Sequence, residues 1–164
     1  MRFLVDRMLG KLTSWLRLLG HDTLSVNDFD FQEAEDEFMV ILAKEESRVL
    51  LSRDKDLVEK ARKENVDALL INSDKVMDQL EEVVRTYNLD LEVNIVRCSV
   101  CNSEIRSADP KELKMLVKEG VITTKLIRKY DEFWICENCG KVYWEGRHWQ
   151  TIEERLNSLQ KKMV

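Results

Sequence analysis

Phe3-Leu4-Val5-Asp6-Arg7-Met8-Leu9-Gly10-Lys11-Leu12-Thr13-Ser14-Trp15-Leu16-Arg17-Leu18-Leu19-Gly20 opens the chain and decides its fold class. Phe3 to Val5 is an apolar run of strand length that stops at Asp6. Leu12, Trp15, Leu16 and Leu19 then recur at helical spacing between Met8 and Leu19, and Gly20 closes the helix. The same alternation continues downstream. Thr23 to Val26 reads as a short strand and Asn27 to Phe31 as a turn region. Gln32 to Glu45 reads as a helix with Ala34, Phe38, Ile41 and Leu42 on one side. Arg48-Val49-Leu50-Leu51-Ser52 is a buried strand, and Asp54 caps a helix running to about Glu64. Ala68-Leu69-Leu70-Ile71 is a further buried strand, and Ser73 caps a helix of Met77, Leu80, Val83 and Val84. Short apolar strands alternating with amphipathic helices predict an α/β fold, a parallel sheet with helices on both faces. In such sheets reactive groups gather at the carboxyl ends of the strands.

The four cysteines fall into two pairs, Cys98-Ser99-Val100-Cys101 and Cys136-Glu137-Asn138-Cys139, with 34 residues between them. Two such knuckles suit a tetrahedral zinc ion, because each short turn aims two thiolates at one point. Redox dithiols and disulfides are the alternatives. The first usually come as one pair opening a helix, and the second need an oxidising compartment. After the second knuckle, Gly140-Lys141-Val142-Tyr143-Trp144 has the pattern of a zinc-ribbon hairpin. Between the knuckles, Asp109-Pro110-Lys111-Glu112 is a helix start with a cap, a first-position proline and a capping box. A second short helix is expected over Thr124 to Lys129, and Phe133-Trp134-Ile135 leads as a strand into the second knuckle. Ile152, Leu156 and Leu159 mark a final helix. A closed four-cysteine site holds a fold together and seldom does chemistry. The expected division is residues 1–94 and residues 95–164, the latter a zinc ribbon with a helical insertion and a C-terminal helix.

The chain has 164 residues, 35% charged and 44% apolar, a balance that suits a soluble globular protein. One proline and five glycines leave no flexible linker in view. The N-terminal apolar run is too short for a signal peptide or a membrane span, so the expected location is the cytoplasm, where thiolates stay reduced. Residues 1–94 hold 13 Lys+Arg against 21 Asp+Glu, a net of −8, and residues 95–164 hold 13 against 10, a net of +3. An acidic part is thus joined to a mildly basic one. No Walker or Rossmann glycine pattern occurs, no cysteine is spare as a nucleophile, and His21 and His148 lie in different parts.

Asp6 ends the first strand and Asp54 follows the third, within Ser52-Arg53-Asp54-Lys55-Asp56, so both project from one sheet edge. Glu33, Asp36 and Glu37 share a helix face between them in sequence. Gathered carboxylates repel one another unless a cation sits among them, and Mg²⁺ or Mn²⁺ suits a sparse carboxylate site. The structural alternatives are a helix cap for Asp54 and a solvated face for residues 33–37; Asp56 and Asp74 read as caps or surface groups. Arg7, Lys11, Arg17 and Arg53 lie near the same edge and either contact phosphates or balance the carboxylates.

Phe3 to Gly10, Leu12, Trp15 to Gly20, the Ser52-Arg53-Asp54 motif, the two CxxC pairs and Tyr143-Trp144-Glu145-Gly146-Arg147-His148-Trp149 together resemble a known family. It is the PIN-like RNase family named after the C-terminal region of mut-seven proteins, which joins a PIN-like domain to a C-terminal zinc ribbon. The resemblance covers essentially the whole chain. It implies a Mg²⁺- or Mn²⁺-dependent ribonuclease in which Asp6, Asp36 and Asp54 hold the catalytic ion, residues 1–94 form the nuclease domain, and RNA, expected to be single-stranded, is the partner. The family commonly has Thr where this chain has Ser52, which keeps the hydroxyl. Its usual Ala-Arg before Trp15 is Thr13-Ser14 here, which removes a positive charge. On this reading Lys114, Lys125, Arg128, Lys129, Lys141 and Arg147 of the ribbon part supply charge to the strand. Trp144 or Trp149 would stack on bases, with core packing as the alternative role. The rivals are a non-catalytic zinc-ribbon module that binds RNA or associates with the ribosome, and a protein–protein adaptor.

Overall fold

Phe3, Leu4 and Val5 lie within the central strand β1 (Arg2–Val5) of a four-stranded parallel sheet. Its partners are β2 (Asp22–Ser25), β3 (Val49–Ser52) and β4 (Ala68–Leu70), in the order β2-β1-β3-β4. This computed structural model describes residues 1–30 and 34–164. Phe3 pairs with Thr23 on one side and with Val49 on the other. The chain therefore leaves β1, lays β2 on its left or right, and returns to the opposite side for β3. Reversal of strand order opens a crevice at the carboxyl ends of β1 and β3.

Successive strand side chains point to opposite faces, and each face is apolar. Phe3, Val5, Val49 and Leu51 share one core with Leu12, Trp15 and Leu16 of α1 (Gly10–Leu18) and Leu80, Val83 and Val84 of α4 (Val76–Tyr87). Leu4 and Leu50 share the other with Met39, Val40 and Ala43 of α2 (Glu35–Glu45) and Leu57, Val58 and Ala61 of α3 (Lys55–Lys63). Each fully buried Leu, Phe or Val contributes about 1.5–3 kcal/mol of transfer free energy.

Several local readings shift. The second strand starts at Asp22, and Val26–Asp28 forms a single 3-10 turn. Arg7–Leu9 is a 3-10 turn ahead of α1, with the Asp6 carboxylate accepting the Arg7 N–H. In α2 the buried residues are Met39, Val40 and Ala43, whereas Ile41 is exposed. The sheet, and not the count of apolar residues around the helix, selects that face. Ala34 precedes α2 in a left-handed conformation; Phe31, Gln32 and Glu33 lie outside the described residues. Ser73 does not cap α4. The Glu82 carboxylate folds back from the helix to accept the Asn72 and Ser73 N–H groups.

The remaining chain forms an antiparallel sheet of β5 (Ile105–Ser107), β6 (Trp134–Cys136) and β7 (Val142–Tyr143), in that order. Two helices, α5 (Pro110–Lys118) and α6 (Thr124–Lys129), fill the long connection. Asp109 and Glu112 form the capping box that starts α5. The last helix, α7 (Arg147–Met163), does not stay with the small sheet. Its Ile152, Leu156 and Leu159 are buried in the core that holds Phe3 and Leu80. Cysteine spacing set the expected division after residue 94 and carries no information about where an amphipathic helix finds its partner. Among the described residues no helix is long and apolar enough to cross a membrane.

Candidate functional site

The carboxyl ends of β1 and β3 meet through Ser52. Its hydroxyl donates to Asp6 Oδ2 at 2.6 Å and accepts the Asp54 N–H at 2.9 Å. Because β1 and β3 are parallel neighbours, the residues that follow them emerge on the same edge. Asp6 is held from both oxygens, since its Oδ1 accepts the Arg7 N–H at 2.6 Å. Asp54 caps α3 with Oδ1, which accepts from Asp56 N at 2.8 Å and Leu57 N at 3.3 Å. Among the described residues no hydrogen bond engages its Oδ2, so a cap and a ligand are not exclusive roles for this residue.

Asp36 reaches the same edge from α2. Positions 36, 39, 40 and 43 form one helical stripe, and the last three pack onto the sheet. Asp36 continues that stripe past the core, so it faces the strand ends. Its carboxyl is pushed above the usual range, first by desolvation and then by repulsion from Asp54, Asp6 and Glu37, against attraction from Lys60. Lys60 itself pairs with Glu37. The acids of this helix thus divide: Asp36 feels the charge of Asp54 and Asp6, Glu37 is tied to Lys60, and Glu33 lies outside the described residues.

The four basic residues near this edge differ in what they touch. Arg7 is exposed; it donates to Glu35 at 2.7 Å and to Asn27 at 3.1 Å. Lys11 is exposed on the first turn of α1. Arg53 pairs with Asp74. Arg17 is 2% exposed and is engaged by the fold: it donates to Thr23 O at 2.8 Å, Val100 O at 2.7 Å and Asp28 Oδ2 at 2.7 Å. Nothing in the sequence separated this internal arginine from its exposed neighbours, because its partners come from three separate segments, one of them 83 residues away.

The cysteines form a second centre. The sulfurs of Cys98, Cys101, Cys136 and Cys139 lie within 4.8 Å of one another, with no disulfide among them. Cys98 and Cys139 are 3.5 Å apart and Cys101 and Cys136 are 3.4 Å apart. A tetrahedral zinc with Zn–S of about 2.3 Å would set sulfurs about 3.8 Å apart, so the cluster fits zinc with these two close pairs opening slightly. Burial pushes the Cys136 and Cys139 thiols up, whereas at Cys101 burial is outweighed by hydrogen bonds from Asn138 and Ser103, which bring it down to about 6, so the thiols do not ionise alike and a cation favours the thiolate form of all four. Among the described residues only these four bring three or more such ligand atoms this close. The three aspartates are spread more widely, which Mg²⁺ tolerates because it keeps several waters and needs only one or two carboxylates.

The two knuckles share a backbone plan. Asn102 N donates to Cys98 O at 2.9 Å, as Gly140 N donates to Cys136 O at 2.8 Å. The residue after each second cysteine has positive φ, 66° at Asn102 and 73° at Gly140. Glycine takes this conformation freely and asparagine tolerates it. Asn102 adds a side chain that joins the ribbon to the parallel sheet. Its Oδ1 accepts the Thr23 N–H at 2.9 Å, and its Nδ2 donates to Asp22 Oδ1 at 2.8 Å. Burial alone would raise the Asp22 carboxyl, but hydrogen bonds from Arg48 and Asn102 hold it well below the usual range. The sequence held a faint sign of this: one knuckle ends in glycine, the other in asparagine.

No curated protein and no solved structure matches the chain. A family model described as Mut7-C RNAse domain matches residues 1–156, from the first strand through the four cysteines and into α7. That span takes in both the acidic edge and the zinc-fitting centre, so the chain belongs to the Mut7-C RNAse domain family, with the ribonuclease-type function which that membership carries.

Proposed function

We propose that the protein is a divalent-metal-dependent ribonuclease that hydrolyses RNA phosphodiester bonds at the PIN-like edge formed by Asp6, Asp36 and Asp54. The observation that carries this reading is the Ser52 bridge, which ties the acid after β1 to the backbone of the acid after β3. The residues suit a hard cation: their donors are carboxylate oxygens, and Asp36 is destabilised as an anion by Asp54 and Asp6. A bound Mg²⁺ or Mn²⁺ would supply an acidified water and offset charge on the transferring phosphate. Ser52 and the Arg7 N–H fix the orientation of Asp6, and the α3 cap fixes Asp54. Arg7 and Lys11 are exposed beside the edge and can meet phosphates of the strand. The zinc centre supports this site by bracing the β2 edge through Asn102 and takes no part in the chemistry.

The test is cleavage of a labelled single-stranded RNA with Mg²⁺ or Mn²⁺ by the wild type, Asp6→Asn and Asp54→Asn. Losing a partner in the outer shell of a metal site costs about 10–100-fold, so losing a ligand should cost at least the upper end. Equal cleavage by all three proteins would sink the assignment. Binding without cleavage by the wild type would leave a zinc-ribbon RNA-binding module instead.

A further inference from the structure

At the junction of the small sheet, α7 and α1 lies a cavity of about 500 Å³. Its walls include Leu18, Tyr130, Val142, Tyr143, Trp144 and Trp149. Lys141, Arg147 and His148 also line it, and among the described residues no carboxylate does. Apart from Leu18 these residues lie in the part of the chain, 95–164, that holds 13 Lys+Arg against 10 Asp+Glu. Trp144 is half-buried, with one side against Phe133 at a ring separation of 6.3 Å. Gly146 leaves room for its indole: a Cβ there would lie 2.6 Å from Trp144 Nε1. Trp149 is buried and donates to Glu153, so it belongs to the wall and not to the contact face.

The cavity is not isolated. A second hollow of about 480 Å³ shares Leu18, Ser99, Lys141 and His148 with it and runs on to Gly10 and Asn27. Asn27 bonds both the guanidinium and the carbonyl of Arg7, the residue after Asp6. The two hollows thus form one trough that runs from the aromatic cavity past Asp28 to Asn27, which touches Arg7.

We propose that the cavity receives a nucleobase of single-stranded RNA, and that the trough carries the adjoining backbone toward Asp6. The choice of RNA rests on the ribonuclease reading and on charge complementarity. An aromatic wall beside cations suits a stacked base with its phosphate, whereas a base paired in a duplex is not free to enter. The volume lies in the range of small-ligand pockets.

The experiment is fluorescence anisotropy of a labelled 12-nucleotide single-stranded RNA, and of the same strand annealed to its complement, without added Mg²⁺ or Mn²⁺. Wild type should prefer the single strand. Trp144→Leu should weaken that binding at least about five-fold, and Trp144→Phe should restore most of it. Lys141→Glu combined with Arg147→Glu should weaken it about ten-fold and flatten its salt dependence. Zinc content identifies any variant whose ribbon has not folded, and Trp144→Phe then decides. Binding indifferent to both Trp144 variants overturns the proposal, and so does a preference for duplex. No RNA binding by the wild type also overturns it, in favour of a protein ligand for the same cavity. The two readings separate cleanly. Asp6-dependent cleavage that ignores Trp144→Leu removes this inference alone. Trp144-dependent binding with no cleavage removes the nuclease reading alone.

Discussion

Replacing Asn102 by glycine tests how far the ribbon and the parallel sheet stand as one cooperative unit. Glycine takes the φ of 66° at this position without steric cost, so the knuckle and its four sulfurs should survive. What disappears is the side chain, which is 7% exposed. Thr23 is wholly buried, and its N–H would lose the acceptor now 2.9 Å away. An unsatisfied buried donor costs about 1–3 kcal/mol. Asp22 would lose a donor at 2.8 Å but keep Arg48 at 2.9 and 3.1 Å, so that loss belongs near the low end of about 1.5–3 kcal/mol. Together these give about 3 kcal/mol. For a chain of this size each kcal/mol moves Tm by about 2–4 °C, so the expected drop is roughly 6–12 °C. The assay is calorimetry of zinc-loaded wild type and Asn102→Gly, with zinc per chain measured on both. Gly140→Asn is the control, since a Cβ there meets nothing within 4 Å and φ is 73°; it should move Tm little. A Tm for Asn102→Gly within about 2 °C of wild type, at equal zinc content, would refute the reasoning.

Zinc removal by a chelator should lower the transition of the whole chain, because the first knuckle also holds Arg17 through Val100 O at 2.7 Å. A parallel-sheet core that melts at an unchanged temperature would contradict this. Leu156→Ala should destabilise by about 2–5 kcal/mol, as for a large core residue, although it lies far beyond the last cysteine; a loss under about 1 kcal/mol in denaturant titration would place α7 outside the core. Ser52→Ala should reduce RNA cleavage about 10–100-fold by freeing Asp6, with zinc content unchanged, and wild-type rates in that variant would remove the bridge from the mechanism. Burial, then the nearby α-amino group, lowers His21 to about 4 from an ordinary value of 6.5. The unfolded chain then binds the proton more readily, so stability is complete above about pH 6.5 and falls as pH drops toward 4. An NMR titration that finds His21 near 6.5 in the folded protein would defeat that expectation.

The class of fold was legible in the chain because period-2 and period-3.6 patterns are local, and Phe3-Leu4-Val5 followed by Leu12, Trp15, Leu16 and Leu19 needs no distant information. The zinc-fitting centre was legible for the same reason, since each knuckle is a complete local turn and the four sulfurs exhaust the cysteines. The meeting of Asp6 with Asp54 followed once the sheet was taken as parallel, because parallel neighbours end on one edge. The core-facing stripe of α2 was not legible. Ile41 and Leu42 compete with Met39 and Val40 in hydrophobicity, and only the docked sheet distinguishes them. The same holds for Arg17 and Asn102, whose longest-range bonds run 83 residues to Val100 and 80 residues to Asp22. Local pattern thus determined which elements form and which metal chemistry the cysteines suit. Tertiary packing alone decided that α7 closes the first core, that Arg17 is internal, and that an aromatic cavity with Lys141 and Arg147 in its lining opens where the small sheet meets α7 and α1. Those features depend on contacts between segments far apart in the chain, and no short window of sequence contains both partners.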